Sequence, residues 1–331
     1  MSETVGSREV GVRARYLQWQ RVAEYVMVVA IVLESVVFAA IAPQFLSVPN
    51  LINVALSIAI TGILAVGMTA VILTGGIDLS VGSVAALAGV VAAMTAAAGG
   101  AGAVALGAAA ALGVGLAVGA FNGVMVAQFR VPPFVVTLAM LTICRGLAFV
   151  ITGGRSIGNL PAGFGFAGRD RLLGVPVPVL LMLAVFAAGW FVLKNTTFGR
   201  YVYAVGGNRE AAFLAGVNIK SVTQWVYVLN GLLVGLAGLV LASRLGAGVP
   251  NAGLQYELDV IAAVVVGGTS LNGGRGSVVG TFWGAVFIGV LNNGLNLAGI
   301  DPYMQRIALG AVILLAVLAD QINKSRDQSI A

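Results

Sequence analysis

Apolar stretches of about 20 residues follow one another through most of this chain, and that length is what a helix needs to cross the hydrocarbon core of a bilayer. Backbone polar groups must be satisfied internally in lipid, so a spanning segment is either a helix or a strand of a closed barrel. Barrel strands alternate apolar and polar residues, and these stretches do not. The sequence therefore predicts an all-α polytopic membrane protein.

About ten transmembrane helices are expected, some of them broken. Their predicted positions are 24–43, 51–73, 79–98, 102–127, 134–152, 177–193, 223–243, 257–272, 277–298 and 304–320. Glycine turns near 74–78, 98–102 and 272–277 separate neighbouring helices. Together the spans predict one transmembrane domain over residues 23–321, between an N-terminal tail (1–22) and a C-terminal tail (322–331).

The lysines and arginines predict the orientation. With the N-terminus inside, twelve of the 18 basic residues fall on the inner side, five fall outside and Arg145 lies within a span. Inner loops carry the excess of Lys and Arg in membrane proteins. Both termini and the 194–222 loop are therefore expected in the cytoplasm, and the 153–176 and 244–256 loops outside. This bias accounts for the net charge of +6 without a nucleic-acid partner.

Several function classes are excluded by missing residues. Histidine is absent and Cys144 is the single cysteine, which removes histidine-based metal sites, histidine relays and an internal disulfide. No GxxxxGK[ST] phosphate loop is present, so the chain cannot hydrolyse ATP by that device. We predict a non-catalytic protein with no metal site and no bound cofactor. Arg145 is expected to pair with an opposite charge or to bond to backbone carbonyls, because an embedded charge needs partners.

A polar island at Tyr203–Ala212 stands out between apolar segments, with basic residues on both sides. A segment this polar must lie in water, and its small residues allow a partner surface to come close. We interpret it as the place where a soluble protein docks. The candidate contact residues are Gly206, Gly207, Asn208, Arg209, Glu210, Ala211 and Ala212.

Polar residues within or between the spans have two interpretations that the sequence leaves open. Asp78 and Ser80 can cap the helix that follows the glycine turn at 74–78, or they can serve a polar substrate at a broken helix. Asparagine amides in spans can bond between helices or line a path for a hydroxyl-rich solute. The candidate path residues are Asp78, Ser80, Asn122, Asn230, Asn292 and Asn293.

Glycines four residues apart form flat strips on helix faces that a neighbouring helix can approach closely. One strip contains Gly115, Gly119 and Gly123, a second contains Gly231 and Gly235, and a third contains Gly276, Gly280 and Gly284. Packing is the principal interpretation of all three strips.

Four runs together resemble one family, the permease subunits of bacterial ATP-binding-cassette importers of the ribose, xylose and galactose type. They are Ala65–Ser83, Gly199–Asn208, Tyr256–Leu271 and Leu291–Leu297. The likeness is greatest to the ribose-transporting members, and in weaker form it covers nearly the whole chain after the first ~20 residues.

The resemblance implies the permease subunit of a monosaccharide importer in the bacterial inner membrane. Its implied partners are a second permease copy (the same or a related chain), a cytoplasmic ATPase that binds ATP and Mg, a periplasmic or lipid-anchored sugar-binding protein, and membrane lipid. By the same likeness, Gly206–Gly216 is the segment that couples to the ATPase. The alternative is a self-contained, ion-coupled secondary transporter of a small polar solute, which the hydropathy also fits.

Overall fold

The computed structural model describes residues 26–330, with side chains as far as residue 322. The predicted tail at 1–22 lies outside the described residues. The helices are α1 (Val26–Ile41), α2 (Val48–Leu73), α3 (Val81–Ala97), α4 (Ala103–Ala127), α5 (Pro133–Thr152), α6 (Phe166–Arg169), α7 (Val177–Asn195), α8 (Thr197–Gly207), α9 (Arg209–Leu214), α10 (Ile219–Leu245), α11 (Tyr256–Val266), α12 (Val278–Leu297) and α13 (Pro302–Ile330).

Seven of the described helices are long and apolar enough to cross a membrane: α2, α4, α5, α7, α10, α12 and α13. Two shorter apolar helices, α1 and α3, lie among them. A 3-10 turn (Ala162–Gly165) and a small hairpin of β1 (Arg171–Leu172) and β2 (Val175–Pro176) occupy the segment between α5 and α7. The prediction of a mostly helical, polytopic membrane protein is confirmed.

The predicted breaks lie in non-helical segments. Residues 74–80 separate α2 from α3, residues 98–102 separate α3 from α4, and residues 267–277 separate α11 from α12. The helix in the segment predicted to be short for a crossing, α11, has only 11 residues. The chain therefore contains broken helices where its double glycines occur, because glycine adopts the positive φ angles that these turns use. Gly75 has φ 79° and Gly268 has φ 87°.

Helices α2 and α10 form the centre of the molecule, and α10 packs against α2, α3 and α4. The side chains of α2 are mostly buried, whereas α13 presents almost its whole apolar surface outward. Val150 on α5 and Leu315 on α13 are 79% and 65% exposed. Large apolar side chains that face outward on long helices are suited to contact lipid.

The first two glycine strips face each other across α4 and α10. A Cβ atom on Gly119 would lie 2.5 Å from the Tyr227 carbonyl oxygen, and one on Gly123 would lie 2.8 Å from the Gln224 carbonyl oxygen. The third strip is only partly helical. Gly280 and Gly284 pack against α11, whereas Gly276 precedes α12.

The segment between α10 and α11 folds inward to reach the start of α3. Arg145 fixes this segment in place, because its Nη1 donates hydrogen bonds to the carbonyl oxygens of Pro250 (2.9 Å) and Ala252 (2.8 Å). A Cβ atom on Gly253 would lie 2.9 Å from the Gly82 carbonyl oxygen. The expectation that Arg145 bonds to backbone carbonyls is confirmed.

Replacing Gly119 by alanine is expected to destabilise the fold, because the new methyl group would meet the α10 backbone. Overpacking of this kind typically costs about 1–3 kcal/mol. Gly113, on the same helix, has open space around its Cα atom, so Gly113→Ala is the matched control. Thermal melting of the purified protein in detergent should show a lower midpoint for Gly119→Ala only. Equal midpoints for the two variants would contradict the close packing.

Candidate functional site

The break between α2 and α3 carries a buried carboxylate, Asp78, whose side chain is 3% exposed. Its Oδ1 accepts hydrogen bonds from the Ser80 backbone N–H (2.9 Å) and the Ser80 Oγ (2.6 Å). Its Oδ2 accepts from Asn230 Nδ2 on α10 (2.8 Å). Asn122 Nδ2 on α4 donates to Ser80 Oγ (3.3 Å). Four of the six predicted path residues therefore form one network, which joins the break to two other helices.

The capping interpretation of this break is correct in position and different in detail. Ser80 precedes the first residue of α3, but its hydroxyl makes no capping bond and donates to Asp78 instead. The Asp78 carboxylate accepts the Ser80 amide. The carboxylate thus closes a local turn, as aspartate commonly does, and at the same time binds α10.

Both oxygens of the Asp78 side chain accept hydrogen bonds within this network. Some of the amide oxygens in the network have no partner. Among the described residues, Asn122 Oδ1 and Asn230 Oδ1 are buried without a hydrogen-bond partner, as are the hydroxyls of Tyr227 and Thr223. The Tyr227 hydroxyl lies against the break: a Cβ atom on Gly76 would be 2.5 Å from it. The glycine at 76 therefore makes room for Tyr227.

The other two predicted path residues, Asn292 and Asn293, lie elsewhere, in the wall of a polar cavity of about 320 Å³. Asn293 also exchanges two side-chain hydrogen bonds with Asn50 on α2 (2.9 and 3.0 Å). The cavity residues are Ser57, Thr61, Arg244, Tyr256, Asp259, Ile288, Gly289, Asn292, Asn293, Asn296, Pro302, Gln305, Arg306 and Leu309.

Hydroxyl, amide, carboxylate and guanidinium groups share this cavity wall. Such a set can both donate to and accept from the hydroxyls of a small solute. Sequence reasoning did not single out Gln305 and Arg306 for this site. They begin α13, and only the packing of α13 beside α11 and α12 brings them to the two asparagines.

The polar island forms two short helices with a bend between them. α8 ends at Gly207, and Asn208 begins the six-residue helix α9 by accepting the Ala211 N–H on its Oδ1 (2.9 Å). Arg209 and Glu210 are exposed in the first turn. Phe213 and Leu214 are also exposed, by 68% and 80%. α9 thus presents both charged and large apolar side chains for contact.

The end of α8 lies directly against two glycine-rich breaks, the one between α2 and α3 and the one between α11 and α12. A Cβ atom on Gly206 would lie 2.6 Å from the Gly274 nitrogen and 2.9 Å from the Leu73 carbonyl carbon. The Gly274 N–H donates to the Leu73 carbonyl oxygen (2.9 Å), and the Tyr203 hydroxyl donates to the Gly276 carbonyl oxygen (3.0 Å). We call this meeting point of residues 73–76, 206–207 and 272–276 the glycine joint.

Gly207 differs from its neighbour, because a Cβ atom there would meet nothing within 4 Å. A side chain is therefore excluded by neighbouring backbone at Gly206 and has room at Gly207, although the Gly207 backbone also lies against Gly274.

Comparison with known proteins identifies relatives along almost the whole chain. Residues 50–317 match the family model described as the permease component of branched-chain amino acid transport systems. The ribose import permease protein of Haemophilus influenzae is 46% identical over 296 residues, which is 88% of this chain and 91% of that protein.

Two relatives from Escherichia coli extend the comparison. Its ribose import permease protein is 45% identical over 324 residues, or 96% of this chain and 98% of that protein. Its xylose transport system permease protein is 38% identical over 343 aligned positions, or 85% and 87% of the two chains. No solved structure matches the chain significantly.

Removing the Ser80 hydroxyl should weaken the network around Asp78. A typical hydrogen bond contributes about 0.5–1.5 kcal/mol, so Ser80→Ala is expected to lower the free energy of unfolding by about that amount. Ser221 is exposed at the start of α10, which makes Ser221→Ala the matched control. Chemical denaturation in mixed micelles would measure both variants. If both unfold at the wild-type denaturant concentration, the network adds no stability.

Proposed function

This chain belongs to the permease family that its sequence matches, as the permease subunit of an ATP-binding-cassette sugar importer, and we propose that the sugar it carries is ribose or a ribose-like monosaccharide. The observation that carries the assignment is 45% identity over 96% of this chain with a ribose import permease protein. A self-contained, ion-coupled secondary transporter is not favoured.

The polar cavity between α2, α10, α11, α12 and α13 is our candidate for part of the sugar path. Its volume of about 320 Å³ lies within the range of small-molecule sites, roughly 300–1,000 Å³. Asn292, Asn293 and Asp259 supply acceptors, and Arg306 and Gln305 supply donors. A solute that must be released after each transport cycle needs polar groups in the cavity wall that replace its hydration water. These groups must not bind the solute so tightly that it stays bound.

Asp78, Ser80, Asn122 and Asn230 have a different role in this proposal. Their polar atoms mostly bind one another, so they hold the α2–α3 break in place beside α10. We therefore assign them to the path as structural supports and not as sugar ligands.

Energy comes from a partner. The chain is a non-catalytic transport subunit that works with an ATPase and a substrate-binding protein, and ATP and Mg are held by the ATPase. The proposed coupling residues are Gly206, Gly207, Asn208, Arg209, Glu210, Ala211 and Ala212, to which the structure adds the exposed Phe213 and Leu214 as contact candidates. Exposed apolar groups next to charged ones are common at protein interfaces.

The proposed topology is ten crossings in the bacterial inner membrane, with both termini and the 194–222 loop in the cytoplasm. This proposal assigns crossings to the seven helices that are long enough to span a membrane and adds the shorter helices α1, α3 and α11. A second permease copy and surrounding lipid complete the proposed assembly. The domain division at residues 23–321 belongs to the same proposal, and α13 remains helical beyond its C-terminal limit, to Ile330.

The glycine joint supplies a route for alternating access. A push on α9 moves the end of α8, and α8 lies in contact with the breaks at 73–76 and 272–276. The ATPase can therefore shift the ends of two broken helices at once. A difference in how the two conformations bind the ATPase is what such a shift requires.

Replacing Gly206 by alanine should uncouple the importer, because its methyl group would force α8 away from Leu73 and Gly274. Gly113→Ala adds the same methyl group in open space on α4, away from α8, and serves as the control. In proteoliposomes that hold the complete importer, Gly206→Ala should lower ribose uptake per ATP hydrolysed by about tenfold, which lies within the usual range of coupling between two sites. Gly113→Ala should stay close to wild type. Equal coupling in the two variants would contradict this route.

Reconstitution tests the assignment itself. The chain with its ATPase and binding protein should take up labelled ribose when ATP is supplied, and the chain alone should take up none. A proton or sodium gradient should not replace ATP. Uptake by the isolated chain on an ion gradient would overturn the proposed function.

A further inference from the structure

A second and larger cavity, of about 790 Å³, opens between the α4–α5 turn, α9 and the first turns of α10. It is separate from the polar cavity of the proposed sugar path, and the two share no residues. The residues that line it are Thr74, Gly75, Gly76, Val126, Ala127, Arg130, Val131, Pro132, Pro133, Arg209, Phe213, Asn218, Ile219, Lys220, Thr223 and Tyr227. We name it the basic cavity.

Three cationic side chains from three separate segments converge on the basic cavity. Arg130 belongs to the α4–α5 turn, Arg209 begins α9 and Lys220 lies in the first turn of α10. No carboxylate occurs among the described residues that line it. Positive charges gathered from different elements, without a counter-charge in the wall, favour an anionic occupant.

Arg130 has a left-handed backbone, with φ 58°. A non-glycine residue reaches this region only at a cost in free energy, and such residues cluster at functional sites. The prolines at 132 and 133 follow directly and stiffen the turn. The fold thus holds the Arg130 backbone in an unfavourable conformation at the cavity.

Two buried hydroxyl groups belong to residues that line the basic cavity. Thr223 is 3% exposed and Tyr227 is fully buried, and neither hydroxyl has a hydrogen-bond partner among the described residues. Lys220, Thr223 and Tyr227 are spaced three and four residues apart, which places them on one face of α10. A ligand that met Lys220 with its charge could satisfy both hydroxyls further in.

The carboxylate behind this wall does not compete for these groups. Asp78 already accepts three hydrogen bonds from Ser80 and Asn230. A buried hydroxyl without a hydrogen-bond partner is destabilising, so a ligand that accepts a hydrogen bond from Tyr227 or Thr223 recovers part of that cost.

We propose that the basic cavity binds a phosphate ester, with its phosphate at Arg130, Arg209 and Lys220 and its hydroxyl-bearing part towards Thr223 and Tyr227. Two sources share this chemistry: a soluble sugar phosphate, and the headgroup of an anionic phospholipid, which basic pockets between membrane helices also bind. Either ligand would contact both α9 and the 74–76 turn, and would therefore bridge the coupling segment and the break.

The test is ligand binding to the intact importer, permease with ATPase, in nanodiscs made of zwitterionic lipid. A pentose 5-phosphate should bind to the wild type, and the unphosphorylated pentose should not displace it. Lys220→Gln and Arg130→Gln should each weaken binding by about tenfold, the loss expected for one charged hydrogen bond. Tyr227→Phe keeps the ring and should weaken binding severalfold.

Lys194→Gln is the matched control, since Lys194 lies over the Trp190 ring, 5.1 Å from its centroid, and not in the basic cavity. Nanodiscs with anionic phospholipid distinguish the two sources. Loss of pentose-phosphate binding there, with lipid retention that depends on Lys220, identifies the headgroup as the ligand.

The inference is overturned if the wild type retains neither the pentose phosphate nor the anionic lipid better than a Lys220→Gln, Arg130→Gln double variant. ATP-driven ribose uptake is measured separately in the same variants. A permease that imports ribose normally and binds no phosphate ester would reject this inference alone.

Discussion

The close approach of α10 to α3 and α4 is the contact on which the rest of the molecule depends. Helices in lipid gain little from the hydrophobic effect when they associate, so they rely on close packing and hydrogen bonds. Glycines on both sides let α10 run against α4 at backbone distance. That proximity brings Asn230 within 2.8 Å of Asp78 and sets Tyr227 against the glycine break. Larger residues between α4 and α10 would hold the two helices apart and leave the buried Asp78 carboxylate without its Asn230 partner.

This arrangement produces two kinds of polar group. Some have their hydrogen-bond partners within the protein, and others face an open cavity. Around Asp78 the carboxylate is satisfied within the protein, which keeps an irregular stretch of backbone stable between helices. In the cavity at Asn292 and Asn293 the polar groups come from five helices and surround open space. The first arrangement suits support and the second suits a solute. Residues of similar chemistry thus lie in different environments because of where the helices place them.

Much of the fold could be predicted from local sequence. Hydropathy located the long helices, double glycines located the breaks, and two of the glycine strips face each other as close-packing surfaces should. The sites were harder, since Asn292 and Arg306 meet only through the packing of α12 beside α13. Sequence also gives Gly206 and Gly207 the same appearance, although neighbouring backbone excludes a side chain only at Gly206. That distinction depends on Leu73 and Gly274, which are distant in the chain and adjacent in space.

The pair of hydrogen bonds from Arg145 sets a constraint on the order of biogenesis. The first of its two acceptors in sequence, Pro250, follows 105 residues later in the chain. A ribosome adds roughly 5–20 residues per second. For several seconds the emerging α5 therefore holds a guanidinium whose acceptors have not been made. Such a charge at the centre of a bilayer helix costs about 2.5–3.5 kcal/mol in insertion. Helix α5 therefore reaches its final environment only after the segment that follows α10 has emerged, so the packing around Arg145 is completed late.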